Sequence, residues 1–256
     1  MRLDLYLVEN GYADSRERAK RLILAGRVCI GGVAITKPAL DVAPPLEITV
    51  EEEQFVGRGG EKLEGALRVF SVDPKGMRAL DIGASTGGFT HCLLLHGANA
   101  VVALDAGCNQ LHPKLRADAR VTNVEKYNAR DLNAQDVGFF DLVVMDVSFI
   151  SQTYILPHLR EVLLPCGRAI TLIKPQFEAG RGALNKNGLV KNPRDRALAI
   201  RRVLESARAA GLVPAGLAPS PIRGGDGNEE YLAYFTTDGT DLVGEDLITK
   251  TVSKGR

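Results

Sequence analysis

The residues best suited to bind a ligand lie in one glycine-rich segment, Leu80-Asp81-Ile82-Gly83-Ala84-Ser85-Thr86-Gly87-Gly88-Phe89-Thr90. Glycines between a strand and a helix let a ligand approach the backbone closely. The dinucleotide spacing G-x-G-x-x-G is not met, because Ser85 takes the position of the middle glycine. An acid before the first glycine, here Asp81, suits a ligand with an amino group or a positive charge. S-adenosylmethionine carries both, so the segment predicts a site for this cofactor; a turn without a ligand is the alternative.

Three charged residues end later apolar runs and are candidates for the same site. Asp105 can accept hydrogen bonds from ribose hydroxyls, although a helix-capping aspartate is the alternative. Asp146 closes the run 143–146, and its neighbours lack the D/N-P-P-Y/F sequence typical of enzymes that methylate base amines. Lys174 follows another apolar run, where partial burial is expected to make a neutral amine accessible for proton transfer. An ordinary surface lysine is the alternative.

The elements that must position these residues alternate between strands and helices. Helical segments are predicted at 87–96, 151–163 and 193–210, and a late strand at 231–236. The strands between the helices are apolar at nearly every position, as expected of parallel strands buried on both faces. They are 78–83, 100–105, 120–125, 140–146 and 168–174. The pattern predicts an α/β fold with a doubly wound, mostly parallel sheet that binds its ligand at the carboxyl ends of the strands.

A small separate domain is predicted before this sheet. Residues 1–50 contain two short helical patterns and then two strands around Gly31-Gly32, which is typical of a compact α+β unit. Residues 51–60 are acidic and then glycine-rich, and they are predicted to be a linker. The alternating pattern occupies 61–240. Residues 241–256 are predicted to be a polar tail without fixed structure.

Composition and charge exclude several classes of protein. The net charge of +1 indicates no nucleic-acid partner by itself, so RNA binding must depend on local patches. One such patch has five cations between Asp14 and Arg27, for which a solvated helix face is the alternative. The four cysteines form no C-x-x-C pair, which argues against a disulfide framework or a zinc site. The sequence has no signal peptide and no apolar run of about 20 residues, so a cytoplasmic protein without a metal is predicted.

Short motifs along nearly the whole chain match a known family. They are Met1-Arg2-Leu3-Asp4, Ser15-Arg16-Glu17-Arg18-Ala19-Lys20, Gly26-Arg27-Val28, Thr36-Lys37-Pro38 and Arg58-Gly59-Gly60-Glu61-Lys62-Leu63. The motifs before residue 60 resemble the RNA-binding domain named for ribosomal protein S-four. With the glycine-rich segment, they make the chain similar to the TlyA (hemolysin A) family of ribosomal RNA 2′-O-methyltransferases, which is related to the FtsJ-type RNA ribose methyltransferases. Members of the family often have a serine directly before the arginine that corresponds to Arg58, whereas this chain has Gly57 there.

The resemblance implies a seven-stranded Rossmann-like methyltransferase sheet, S-adenosyl-L-methionine as the cofactor, and ribosomal RNA or ribosomal subunits as the partner. It implies four catalytic residues, Lys62, Asp146, Lys174 and Glu230, with Glu229 as the alternative to Glu230. The predicted cofactor-binding residues are Asp81, Gly83, Ala84, Ser85, Gly87, Gly88, Phe89, Asp105 and Asn128, the last where relatives contact adenine. The predicted RNA-binding residues are Arg2, Arg16, Lys20, Arg27 and Lys37.

The function that the resemblance implies is methyl transfer from S-adenosylmethionine to a ribose 2′-hydroxyl of ribosomal RNA, on a cytidine of the small subunit, the large subunit or both. Lys174 is expected to accept or steer the hydroxyl proton, while Asp146 and Glu230 orient the lysines. The glycine spacing opposes a nicotinamide-dependent oxidoreductase. A catalytically weak ribosome assembly factor and a hemolysin-like membrane-active protein are further alternatives, and the sequence leaves the oligomeric state open.

Overall fold

The chain folds into two units, each with its own apolar core. The structure, a computed structural model, describes residues 1–44, 47–51, 54–225 and 227–254, without the side chains of Arg181 and Lys254. Contacts between residues divide the chain into Met1–Gln54 and Phe55–Arg256. One cluster of buried side chains fills the first unit, and two clusters fill the second.

The first unit joins two helices to a three-stranded antiparallel sheet. Its elements are α1 (Leu3–Glu9), α2 (Arg16–Leu24), β1 (Val28–Ile30), β2 (Val33–Ile35) and β3 (Ile48–Val50), and the strand order is β2-β1-β3. The Ser15 hydroxyl caps α2 by accepting a hydrogen bond from the Arg18 N–H at 3.2 Å. Gly31 and Gly32 have φ of 55° and 79°, as a two-residue hairpin turn requires. The predicted strand-turn-strand is confirmed.

The second unit is built on one seven-stranded sheet. Its strands are β4 (Arg78–Ile82), β5 (Ala100–Leu104), β6 (Val121–Val124), β7 (Phe140–Met145), β8 (Leu163–Ile173), β9 (Val213–Pro219) and β10 (Tyr231–Thr236). The strand order is β6-β5-β4-β7-β8-β10-β9. The first five strands are parallel, and β10 lies antiparallel between β8 and β9. The predicted fold class, a mostly parallel seven-stranded sheet, is confirmed.

Helices cover both faces of this sheet. They are α3 (Gly59–Val69), α4 (Gly88–Leu95), α5 (Pro113–Arg116), α6 (Ala134–Val137), α7 (Leu156–Val162), α8 (Pro175–Glu178), α9 (Pro193–Ala209) and α10 (Glu245–Lys254), with 3₁₀ turns at Ala129–Asp131, Gln152–Tyr154 and Arg181–Ala183. Along β4, Ala79 belongs to one core and Leu80 to the other, because successive side chains of a strand point to opposite faces. Among the described residues, no helix has the length and apolar character needed to cross a membrane.

The parallel strands bring the candidate residues to one edge. Gly83 follows β4, Asp146 follows β7 and Lys174 follows β8, and these strands are neighbours in the order β4-β7-β8. Because parallel strands end at the same edge of a sheet, three sequence-distant residues meet there. The order and direction of the strands are thus sufficient to place these three residues close together.

Two predicted segments contain elements that the sequence did not indicate. The predicted linker 51–60 does not extend beyond residue 54, since Phe55 is buried and α3 begins at Gly59; Glu52 and Glu53 lie outside the described residues. The predicted polar tail 241–256 instead contains α10, which buries Ile248, Thr251 and Val252 on one side. The spacing of three and four residues between these side chains is the feature of the sequence that indicates a helix here. Gly255 and Arg256 lie outside the described residues.

A carboxyl group lies within the core at β4. Asp81 is fully buried, and Thr90 Oγ1 of α4 donates a 2.6 Å hydrogen bond to its Oδ2. Burial raises the pKa of the Asp81 carboxyl to about 7, and the hydrogen bond from Thr90 opposes this effect. This hydrogen bond thus joins β4 to α4, the strand and the helix on either side of the Gly83–Gly87 turn.

We expect Asp81 to make the folding stability depend on pH. Its folded-state pKa of about 7 lies above the ordinary value, so its contribution is complete below about pH 4 and is lost as the pH rises to about 7. Relative to Asp81→Asn, the wild type should lose roughly 1 kcal/mol of unfolding free energy per pH unit across this range. Urea unfolding at pH 5, 6, 7 and 8 measures the difference. The exposed Asp73→Asn is the control, and parallel curves for wild type and Asp81→Asn would refute the assignment.

We also expect α10 to contribute to the stability of the second unit. Ile248 is buried in the core that α9 and β9 share, so Ile248→Ala should reduce the unfolding free energy by roughly 2 to 5 kcal/mol. The exposed neighbour Leu242 supplies the control, and Leu242→Ala should change it by less than about 0.5 kcal/mol. Equal midpoints of urea unfolding for the two variants would show that α10 does not pack as described.

Candidate active site

Four charged side chains form a continuous chain of ion pairs at the carboxyl edge of the sheet. Lys62 Nζ of α3 lies 2.6 Å from Glu230 Oε2 and 3.9 Å from Asp146 Oδ2. The other oxygen of Asp146, Oδ1, lies 2.6 Å from Lys174 Nζ. The order is therefore Glu230, Lys62, Asp146, Lys174, with the charges alternating in sign. The structure brings together all four residues that the family resemblance implied.

These charges are held largely away from water. The exposed fractions of the side chains are 3% for Glu230, 9% for Lys62, 10% for Lys174 and 18% for Asp146. Removing a charge from water is costly, and the cost is offset here because every charged group has an opposite charge beside it. Two cations and two anions leave the cluster neutral. Asp146, the most exposed of the four, is also the one that contacts both lysines.

Ser148 is a member of the site that the sequence analysis missed. Lys174 Nζ donates a 2.7 Å hydrogen bond to its hydroxyl oxygen. The available signal was its place two residues after Asp146, in Asp146-Val147-Ser148. Lys174 is thereby held between a carboxylate and a hydroxyl, so its ammonium group has a defined position.

The geometry distinguishes the two adjacent glutamates. Glu230 contacts Lys62, whereas Glu229 lies 3.3 Å from Arg196 and 3.5 Å from Arg223. Glu229 also accepts a hydrogen bond from the Tyr231 hydroxyl. Glu229 thus belongs to a separate arginine cluster, and the choice of Glu230 for the site rests on its contact with Lys62.

A cavity of about 690 Å³ opens between the ends of β4, β5 and β7. This volume is in the range that holds a small organic ligand. Five of the predicted residues line it: Gly83, Ser85, Asp105, Asn128 and Asp146. Its wall also contains residues that the sequence analysis did not single out, among them Gln110, Lys126, Tyr127, Arg130 and Phe149. They lie on loops after strands, where short polar patterns give no periodic signal.

A second, smaller cavity of about 200 Å³ lies between the glycine-rich segment and Lys174. Its lining includes Gly83, Ala84, Ser85, Gly88 and Phe89 from the segment, together with Asp146, Ser148 and Lys174. It shares Gly83, Ser85, Asp146 and Ser148 with the larger cavity. A ligand in the larger cavity would therefore have one end next to the ion-pair chain.

The backbone of the glycine-rich segment is fixed by Asp105. Its Oδ2 accepts a 2.8 Å hydrogen bond from the Ser85 N–H and its Oδ1 a 2.7 Å hydrogen bond from the Gly107 N–H. Ser85 has φ of 49°, which is uncommon for a residue with a side chain. Gly83 has φ of 82°, and a Cβ there would lie 2.7 Å from the Asp146 carbonyl oxygen. This close approach of two backbone segments requires glycine.

Two predicted cofactor-binding residues lie away from both cavities. Asp81 is buried in the core and lines neither cavity, and its predicted contact with the cofactor stays a prediction. Gly87 caps α4 with φ of 93°, and a Cβ there would lie 2.2 Å from Leu115 Cδ1. Both residues act on the shape of the segment. The periodic pattern could not separate this supporting role from contact with a ligand.

In the first unit, one buried carboxylate holds two of the predicted RNA-binding cations. Asp4 is fully buried, and Arg2 Nε and Arg16 Nε each lie 3.0 Å from one of its oxygens. Hydrogen bonds from Arg2 and Arg16 keep the pKa of the Asp4 carboxyl well below its usual range. Lys37 is exposed, and Lys20 and Arg27 are partly exposed. The structure thus groups Arg2 with Arg16.

Both units of the chain match known protein families. Residues 55–237 match the sequence model of the FtsJ-like methyltransferases, and residues 1–47 match that of the S4 domain. The chain is 41% identical to the 16S/23S rRNA (cytidine-2′-O)-methyltransferase TlyA of Mycobacterium tuberculosis, covering 99% of this chain and 98% of the relative. It is 43% identical to Hemolysin A of Brachyspira hyodysenteriae, covering 92% and 99%.

A solved structure extends the comparison to three dimensions. The solved structure of a protein from Streptococcus thermophilus, described as a hemolysin, is 40% identical in sequence and superposes with a TM-score of 0.79. The match covers 99% of this chain and 94% of that protein. The likeness therefore includes both the S4 unit and the methyltransferase unit. The chain belongs to the TlyA/hemolysin A family of FtsJ-like methyltransferases.

Proposed function

We propose that this protein transfers a methyl group from S-adenosylmethionine to a ribose 2′-hydroxyl of ribosomal RNA, on a cytidine. The observation that carries the proposal is the buried chain Glu230–Lys62–Asp146–Lys174 beside the glycine-rich segment. A relative that covers almost the whole chain is named for this reaction on 16S and 23S RNA. An enzyme acting on ribosomal RNA works where ribosomes are, in line with the predicted cytoplasmic location.

The residues around the larger cavity fit S-adenosylmethionine. In our proposal Asp105 and Asn128 lie at the adenosyl end, where oxygens can accept hydrogen bonds from hydroxyl or amino groups. Gly83 and Gly88 line the smaller cavity, where we place the methionyl end. A Cβ at Gly88 would lie 2.9 Å from the Gly60 nitrogen, so glycine is needed there for α4 to pack closely against α3. When bound, the cofactor supplies an electrophilic methyl group. Gly83, Ser85 and Asp146 line both cavities and mark where this group would face the target ribose.

In our proposal the ion-pair chain assists removal of the proton from the ribose 2′-hydroxyl. This hydroxyl is a weak acid and a poor nucleophile, and it must lose one proton as its oxygen is methylated. Lys174, at the wall of the smaller cavity, is placed to accept that proton in its neutral amine form, or as an ammonium to stabilise the oxygen as the proton leaves to water. Asp146 orients both lysines, and Glu230 holds Lys62. Since every charge is fixed before the substrate binds, most of the acceleration comes from positioning.

We assign RNA binding to the first unit. Arg2, Arg16, Lys20, Arg27 and Lys37 would contact phosphates and position the RNA, while the second unit performs the reaction. The domain assignment that we propose is therefore an RNA-binding unit that ends by residue 54 and a methyltransferase unit from Phe55 onward. Mapping ribose methylation across ribosomal RNA in a strain without the protein would identify the modified nucleotide and its subunit.

Lys174→Ala should reduce kcat for methyl transfer by at least about 100-fold, because it removes the group that handles the proton. The Kd for S-adenosylmethionine should stay within about threefold, since Lys174 does not line the larger cavity. Transfer of a tritiated methyl group to unmodified ribosomal subunits measures the rate, and calorimetry measures the Kd. Lys75→Ala is the control, because Lys75 is exposed and precedes the amino end of β4.

A near-normal rate for Lys174→Ala would rule out its catalytic role. Absence of methyl transfer by the wild-type protein, with RNA binding retained, would favour the alternative of a ribosome assembly factor.

The double variant Lys20→Ala/Lys37→Ala should weaken RNA binding by removing phosphate contacts. The slope of log K against log salt should become shallower by about 1 for each lysine that contacts a phosphate. Titration of ribosomal RNA at several salt concentrations measures the slope, and Lys75→Ala again serves as the control. An unchanged slope would show that this face of the first unit does not bind RNA. S-adenosylmethionine affinity should not change in either case.

A further inference from the structure

A depression of about 370 Å³ lies beside the larger cavity, and the proposed reaction does not use it. We call it the aromatic depression. Its walls come from the 3₁₀ turn after β6, the loop after β7, α8 and α9, and they include Arg130, Tyr154, Phe177, Glu178 and Arg202. Arg130, Phe149 and Ile150 line both the depression and the larger cavity. The two spaces are therefore neighbours that share one wall.

Aromatic side chains are displayed here rather than buried. Tyr154 is 59% exposed, and Phe149, on the shared wall, is 92% exposed with φ of 63°. The rings of Phe149 and Phe177 pack with their centroids 5.3 Å apart. Folding gains little from an exposed ring, and a left-handed backbone at phenylalanine costs free energy. Exposed aromatic rings near a cavity are the usual platform on which unstacked nucleobases bind.

The charges in the depression suit a polyanion. Arg130 and Arg202 are both exposed, and the Arg130 guanidinium lies 4.9 Å from the centre of the Tyr154 ring. A guanidinium plane can stack on a base or contact a phosphate. The one carboxylate, Glu178, is buried and accepts hydrogen bonds from the Ser151 hydroxyl and the Gln152 N–H. Burial raises the pKa of Glu178, and both of its carboxyl oxygens already accept hydrogen bonds from the protein.

We propose that the aromatic depression binds one unstacked nucleobase that neighbours the target nucleotide on the same RNA strand. This inference rests on the proposed function, because only an RNA substrate would place a strand across the shared wall. Tyr154 and Phe177 supply the stacking surface, and Arg130 and Arg202 contact the adjoining phosphates. The site would select an RNA whose bases are already splayed out around the target, a loop rather than a continuous helix.

The first experiment compares Tyr154→Ala and Phe177→Ala with the wild type in methyl transfer to unmodified ribosomal subunits. Each variant should raise KM for the subunits roughly tenfold through the lost stacking, with kcat and the Kd for S-adenosylmethionine unchanged. Phe139→Ala is the matched control, because Phe139 is an exposed aromatic residue at the opposite, amino end of β7. A wild-type KM in both depression variants overturns the inference.

The second experiment reads the base contact directly and does not need methyl transfer. The chain contains no tryptophan, so Tyr154→Trp and Phe139→Trp each introduce a single fluorophore. Unmodified ribosomal RNA should quench the first and leave the second unchanged, and Tyr154→Trp should bind this RNA with a Kd within about twofold of the wild type. Absence of quenching at RNA concentrations that saturate binding overturns the inference. The exposed aromatic rings would then be assigned to contact with a protein. If the wild type binds RNA without methylating it, the proposed function fails, while quenching still tests the depression.

Discussion

Four alternating charges, buried together at one edge of a sheet, are the constraint on which the rest of this structure depends. Each charge would be destabilising alone at such low exposure, and each is retained because the next one is opposite in sign. The four groups come from α3, the end of β7, the end of β8 and the start of β10. The order β4-β7-β8-β10 is thus needed to bring them together.

The antiparallel insertion of β10 has a particular consequence for the site. Since β10 runs opposite to β8, its first residue pairs with the last residue of β8, Tyr231 with Ile173. Glu230 and Lys174, which immediately flank this pair, therefore lie at the same edge. A parallel strand in this position would have put its beginning at the far edge. The antiparallel direction of β10 therefore explains why Glu230, which precedes β10, and Lys174, which follows β8, lie at the same edge of the sheet.

Carboxylates hold neighbouring groups in place in both units. Asp105 holds the backbone of the glycine-rich segment through two N–H groups, and Asp81 holds the following helix through Thr90. In the first unit, Asp4 holds Arg2 and Arg16. A cation that is already fixed loses less side-chain entropy when it binds a phosphate. In both units a carboxylate thus fixes the groups that we propose for binding, the cavity wall in one unit and two arginines in the other.

The sequence by itself determined the strand-helix alternation, the Gly31-Gly32 hairpin and the strand ends that carry Gly83, Asp146 and Lys174, because these are local or periodic features. The family motifs added Lys62 and one of two glutamates. Only the tertiary structure separated Glu230 from Glu229, showed that Asp81 is buried in the core, placed Ser148 beside Lys174 and formed α10 within the predicted tail. The physical reason is that periodicity shows which face of an element is apolar, whereas contacts between elements depend on their order in the sheet and on packing across the cores.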